Sequence, residues 1–169
     1  MRHVRSALAV FQGQAEDLSR IFAAACRDIV ENLAVSSGSV WFFDDEGRTI
    51  ECVALFDARD ARLLQGTYLR EADCAPYFNA LKRDHRVVAD DARTHPSTRG
   101  LGVYLLHRDV HSLLDHVVCA DGRPVAVLCC EQAARPRHWS DDDAAYLQQM
   151  AITLGVAVDL LAQQRRRAG

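Results

Sequence analysis

A chain of 169 residues is long enough for one domain with a core of its own, and 49% apolar against 25% charged residues is the balance of an ordinary globular protein. The formal net charge of -3 leaves no global basic excess to neutralise phosphates, which argues against a nucleic-acid partner.

Met1-Arg2-His3 runs into an amphipathic segment and not into the unbroken apolar stretch of a signal peptide or membrane span, so a soluble, cytoplasmic protein is expected. In that segment Leu8, Phe11, Ala15, Leu18, Phe22, Ala25 and Ile29 recur three and four apart, which predicts an N-terminal helix over 1–35 with a coiled-coil-like seam. Ser36-Ser37-Gly38 ends it. A strand over Ser39 to Phe43, a turn at Asp44-Asp45-Glu46-Gly47 and a strand near Ile50 to Phe56 read as a hairpin. The stretch through Ala58-Arg59-Asp60 reads as loop, with a short strand at Tyr68-Leu69.

Pro76 suits the first turn of a helix over Tyr77 to Lys82. A strand over Arg86 to Ala89, a loop to Pro96 and a short helix containing Leu101, Tyr104 and Leu105 follow. His111 to Cys119 and Pro124 to Gln132 form a second hairpin around Asp121-Gly122, a type I′ pair. Ser140 is placed to cap a last helix over 140–168, with Asp141 to Asp143 in its first turn and Arg165 to Arg167 near its end, both favourable to the helix dipole. Its apolar residues form two adjacent stripes, more than one sheet contact uses. Two hairpins flanked by long helices predict an α+β domain with antiparallel pairing.

Several pieces carry a resemblance. Val88 to Arg93, Tyr104 to Asp115, Val125 to Gln132 and then His138-Trp139-Ser140 with the acidic helix start resemble, in order and spacing, bacterial GAF domains from about residue 10 to residue 162. The resemblance implies a single domain over 1–169, with sheet and pocket elements in 39–132. It implies a six-stranded antiparallel sheet with the N- and C-terminal helices on one face, and short helices and loops forming a pocket on the other. It also implies a non-catalytic sensory role: a small ligand, homodimerisation through the end helices, and an output domain or partner such as a diguanylate cyclase or histidine kinase. Two alternatives stand beside it: a thiol-dependent reductase of the free-methionine-sulfoxide type centred on Cys74, and a ligand-free dimerisation scaffold, which the bulky pocket residues suggest. Fold alone does not choose between them.

Counting back from the Asp121-Gly122 turn pairs Ala120 with Arg123 and Asp115 with Leu128, so Leu113, Asp115, Val117, Leu128 and Cys130 share one face. In the resembled family that face lines the pocket, and Trp41, Phe43, Tyr77, Phe78 and Tyr104 supply aromatic walls. A carboxylate there needs a partner, either a cationic or donor group of a ligand or an arginine such as Arg93 or Arg99.

Cys74 falls near the position of a catalytic cysteine in the free-methionine-sulfoxide reductases of this fold, but the loop from Asp90 to Arg108 has no resolving cysteine. The segment Leu101 to His107 has no cysteine either, so no covalent bilin is expected. Haem ligation by His107, His111 or His116 is disfavoured by their spread over a helix–strand junction. Cys129-Cys130 is vicinal in a strand, so the two thiols point to opposite faces and share no metal. The expected ligand-binding set is Trp41, Phe43, Cys74, Tyr77, Phe78, Tyr104, Leu113, Asp115 and Cys130.

Overall fold

The computed structural model describes residues 1–168. Its frame is a sheet six strands wide. β1 (Ser37–Phe43), β2 (Thr49–Asp57), β3 (Arg62–Leu64), β5 (Arg86–Ala89), β6 (Val110–Ala120) and β7 (Arg123–Ala133) lie in the order β3-β2-β1-β7-β6-β5. β4 (Tyr68–Arg70) pairs with the other end of β2 beside β3, and every pairing is antiparallel. This is the α+β architecture expected from the sequence.

The N-terminal segment forms two helices and not one. α1 (Arg2–Ala9) and α2 (Ala15–Leu33) are separated at Gln12 to Gln14, where the Asp17 carboxylate takes the N–H groups of both Gln12 and Gln14 in a capping box. α1 then folds back along α2. The fully buried Asp28 accepts the N–H groups of His3 and Val4 at 3.1 and 2.9 Å, satisfying donors that a helix start leaves unpaired. A single seam from Leu8 to Ile29 is therefore interrupted.

α5 (Asp141–Ala168) starts as the sequence indicates. Ser140 Oγ accepts from Asp143 N–H and Asp143 accepts from Ser140 N–H, both at 3.1 Å. By length and composition this helix could cross a membrane. In the fold it lies along the sheet, with Leu147, Met150, Ala151, Leu154, Ala157 and Leu161 buried. It crosses β6 closely enough that a Cβ on Gly155 would stand 2.1 Å from the Cys119 carbonyl oxygen.

The sheet thus has two covered faces. On the helix face α2 and α5 bury Val40, Ala54, Phe56, Leu114, Val118, Ala126, Leu128 and Cys130. On the lid face α3 (Ala75–Asp84), α4 (Gly102–His107) and their loops cover Trp41, Ile50, Cys52, Leu55, Leu113, Val117, Val127 and Cys129. The helix expected from Pro96 onward is split into a 3-10 turn, Pro96–Thr98, and α4. Gly100 separates them at φ +94°, where a Cβ would meet the Asp73 carbonyl oxygen at 2.3 Å.

The Asp121-Gly122 turn has both residues at positive φ, as a type I′ hairpin requires. Beyond it the register departs from a simple count. Cys119 pairs with Pro124 but Val118 pairs with Ala126, so Val125 is the extra residue of a bulge. It sits next to Pro124, which has no N–H for the ladder. The slip moves every later β7 residue to the other face. Asp115 pairs with Cys129, and Leu113 with Glu131.

Candidate functional site

The lid face gathers eight of the nine residues singled out from the sequence. Trp41, Cys74, Tyr77, Phe78, Leu113 and Asp115 are all buried there, with Phe43 and Tyr104 packed against them. Cys130 is the exception: the Val125 bulge turns it, with Leu128, toward α2 and α5, and Val127, Cys129 and Glu131 take the lid face instead.

Aromatic side chains fill much of this layer. Trp41 and Tyr104 meet edge to face at 5.8 Å between ring centroids, and Tyr77 and Phe78 do so at 6.1 Å. Trp41 Nε1 donates to Ser39 Oγ at 2.8 Å. Two lid helices reach across the layer to two carboxyls. From α3, the Tyr77 hydroxyl donates to Asp115 Oδ2 at 2.7 Å; from α4, the Tyr104 hydroxyl donates to Glu131 Oε1 at 2.6 Å. Ser37 Oγ donates to Glu131 Oε2 at 2.9 Å. Because Glu131 lies opposite Leu113, it is the diagonal neighbour of Asp115 on the same face.

The charges are unevenly matched. Asp57, at the end of β2, accepts from Arg59 Nε and Nη2 at 2.9 and 2.6 Å and from Arg108 Nη2 at 2.9 Å. Burial pushes Asp57 up, but the Arg59 hydrogen bonds and the charges of Arg59 and Arg108 outweigh it and hold the carboxyl below its ordinary range. Burial raises Glu131, opposed by the Tyr104 and Ser37 hydroxyls and by Arg108. Among the described residues Asp115 has no such cation. Burial, reinforced by the charge of Glu131 and opposed by the Tyr77 hydroxyl, pushes it up to about 7. Its second oxygen, Oδ1, is buried without a hydrogen-bond partner among the described residues. The arginines considered for it lie elsewhere: Arg93 bonds Asp109 and the Val110 carbonyl, and Arg99 is exposed.

Ser37, Asp57, Arg59, Arg108, Cys129 and Glu131 belong to this site and were not singled out from the sequence. Glu131 carried a readable signal, an acidic residue ending the apolar run Val125 to Cys130. Cys74 is buried, its thiol donates to the Arg70 carbonyl at 3.1 Å, and burial together with Asp73 and Glu71 pushes it up to about 11.

Two concavities border these elements. A groove of about 890 Å³ follows the outer edge of β5 beside the start of α5, lined by Arg83, Arg86, Val88, His116 and Gln148. A cleft of about 260 Å³ lies between the β1–β2 turn and α3, and its lining includes Phe43, Leu81, Lys82 and Val117, all on the lid side.

A sequence profile of the GAF domain matches residues 17–158. The chain belongs to the GAF domain family. Solved GAF structures share its fold at low identity. The blue-light absorbing form of the Thermosynechococcus elongatus PixJ GAF domain aligns at TM-score 0.78 and 20% identity, covering 94% of this chain and 95% of that one. The far-red absorbing dark state of JSC1_58120g3 with bound biliverdin IXa aligns at 0.75 and 16%, covering 95% and 99%. The GAF domain of a phosphoenolpyruvate-protein phosphotransferase from Coxiella burnetii aligns at 0.74 and 16%, covering 99% and 93%. No curated protein matches this GAF domain by sequence.

Proposed function

We propose that this GAF domain is a non-catalytic sensory module in which a small ligand acts at the lid face and α5 relays the change to an output domain or partner, such as a diguanylate cyclase or histidine kinase. The observation that carries this reading is the double role of β6. Its Asp115 is bonded to Tyr77 of α3 on one face, while its Leu114 and Val118 pack in the core covered by α2 and α5 on the other. With Gly155 against the Cys119 carbonyl, a shift of β6 has no slack to absorb before it reaches α5.

Homodimerisation belongs to the same proposal, with α5 as its main contributor. Ile152, Val156 and Leu160 recur four apart on α5 and are 53%, 54% and 43% exposed, the stripe a partner helix would cover. The N-terminal share is smaller than a continuous helix would give, because Val4, Leu8 and Phe11 already pack into the monomer's own core.

Catalysis by Cys74 is disfavoured because its environment keeps the thiol protonated, and thiolate is the reactive form. The same protonated thiol, and an α4 of sequence Gly-Val-Tyr-Leu-Leu-His, do not fit covalent attachment of a bilin. Haem is disfavoured because His107 is exposed, His111 contacts Asp109, and His116 lines the groove beside α5.

Native mass spectrometry of protein purified from cells, with a visible spectrum of the same sample, tests the proposal. A dimer carrying extra mass is the expected result. A visible absorption band would overturn the view of the cofactor, a monomer at high concentration would overturn the dimer, and a ligand-free dimer would favour a scaffold. Reductase activity abolished by Cys74→Ser would overturn the non-catalytic assignment.

A further inference from the structure

We propose that the lid face is a ligand site in its closed state, that the hydroxyls of Tyr77 and Tyr104 occupy the places of a ligand's donors, and that the ligand is a small organic monocation bearing N–H groups. This rests on the sensory reading above and adds the chemical class of what is sensed.

Three observations carry it. The first is charge. The cluster holds the carboxyls of Asp57, Glu131 and Asp115 against the guanidiniums of Arg59 and Arg108. Arg59 and Arg108 serve Asp57, Arg108 also acts on Glu131, and no ion pair to Asp115 is present among the described residues. With all three carboxyls ionised, one further positive charge would complete the set; without it, burial favours the protonated form of Asp115. The second is an acceptor without a donor. Asp115 is 2% exposed; the Cys129 thiol and the Cys130 N–H lie near enough to favour its charged form, but neither reaches hydrogen-bond geometry with Oδ1, a costly shortfall that a ligand N–H relieves. The groups acting on it are the Tyr77 hydroxyl from α3 and the Cys129 thiol, Cys130 N–H and Glu131 carboxyl from β7, none of them a cation; the groove that Asp115 borders is lined by Arg83, Arg86 and His116, none of which forms an ion pair with it. The third is the wall. Tyr77 and Tyr104, which meet these carboxyls through their hydroxyls, stand in one aromatic layer with Trp41 and Phe78; Lys82 Nζ already lies 5.9 Å from the Phe78 ring centroid, and an ammonium over such a ring gains cation–π attraction.

The two lids are held unequally: α3 buries Tyr77, Phe78, Ala80 and Leu81, and α4 is the looser of the two. α4 is held by Leu105, by Leu101 at its start and by Tyr104 against Trp41, while Val103 and Leu106 are 85% and 67% exposed, so less apolar burial opposes its release than opposes that of α3. The cleft between the β1–β2 turn and α3 reaches Val117, two residues along the same face of β6 from Asp115, and the groove beside β5 has Asp115 itself in its lining. Asp44, Asp45 and Glu46 at the rim of the cleft outnumber the Lys82 ammonium there, though Glu46 is paired with Arg48, and the excess of carboxylates favours cations.

The test compares benzylammonium with benzyl alcohol, its uncharged analogue of nearly the same shape, by calorimetric and NMR titration. Wild type, Tyr77→Phe and the double variant Tyr77→Phe/Asp115→Asn are titrated in parallel. Tyr77→Phe removes one surrogate donor and is expected to bind benzylammonium about tenfold more tightly than the alcohol. Adding Asp115→Asn is expected to abolish that preference. Should a variant fail to fold, the wild-type titration decides, since the ammonium alone is expected to shift the methyl signals of Leu113. Equal binding of the two probes with Leu113 shifts would overturn the cation assignment and leave the lid face as the ligand site. Preference that survives Asp115→Asn, or no binding by any form, would overturn the proposal. A ligand adduct in native mass spectrometry would then show whether the sensory reading still stands.

Discussion

The two faces of one sheet are built on different rules. The helix face is an apolar layer in which α2 and α5 lie against Val40, Leu114, Val118, Ala126 and Leu128. The lid face holds apolar and aromatic residues too, but it also buries Asp57, Asp115 and Glu131, each bonded to a donor from a lid, a loop or the sheet edge. Burying a carboxyl without a full complement of partners lowers stability. The contrast separates a face that holds the fold together from a face that retains unmet hydrogen-bonding and charge capacity.

The comparison can be broken by mutation. Leu154→Ala, on the fully buried side of α5, is expected to lower unfolding free energy in urea by about 3 kcal/mol, since it removes packing that nothing refills. A loss below about 1 kcal/mol would show that the helix face is not the rigid one. Asp115→Asn should act in the opposite direction. Burial pushes the folded carboxyl up to about 7 from its ordinary value of 3.8, so the native state holds its proton more tightly than the unfolded chain. The ionised group therefore leaves stability intact below the unfolded value, erodes it as pH rises toward 7, and imposes its full penalty above. The variant should be more stable than wild type by about 2 kcal/mol near pH 8, with the difference shrinking toward pH 4. A pH-independent difference would contradict the account.

Smaller effects sharpen the picture. Tyr104→Phe removes one lid latch and should cost about 1.5 kcal/mol, together with faster hydrogen exchange confined to α4 and its flanking loops. Exchange that rises uniformly over the sheet would mean that α4 is not a separable lid. Ser140→Ala breaks the reciprocal cap at the start of α5 and should cost about 1 kcal/mol without altering lid-face exchange.

Much of the fold was legible from local chemistry. The Asp121-Gly122 turn, the Ser140 cap with its acidic first turn and the Arg86–Ala89 strand each depend on residues adjacent in sequence, and each stands where expected. The misses have long-range or backbone causes. β3 is a three-residue edge strand fixed by pairing with Leu55 to Asp57. The break between α1 and α2 depends on Asp17 reaching back to Gln12 and Gln14. The Val125 bulge inverts the facing of every β7 residue beyond it, which is why Cys130 was placed on the wrong face and Glu131 was overlooked. Asp115 was legible because the other strand of the pair, β6, alternates regularly through it; its partner Tyr77 was expected only as an aromatic wall, since the contact spans 38 positions.

The most direct measurement is a carbon-13 NMR titration of the Asp115 side-chain carboxyl in the wild-type chain. The account predicts a midpoint near about 7, together with a shift in the resonances of Tyr77 over the same range. A midpoint in the ordinary carboxylate range near 3.8 would contradict it, because it would mean that Asp115 already has a counter-charge or full hydration and that the lid face has no unmatched charge to offer a ligand.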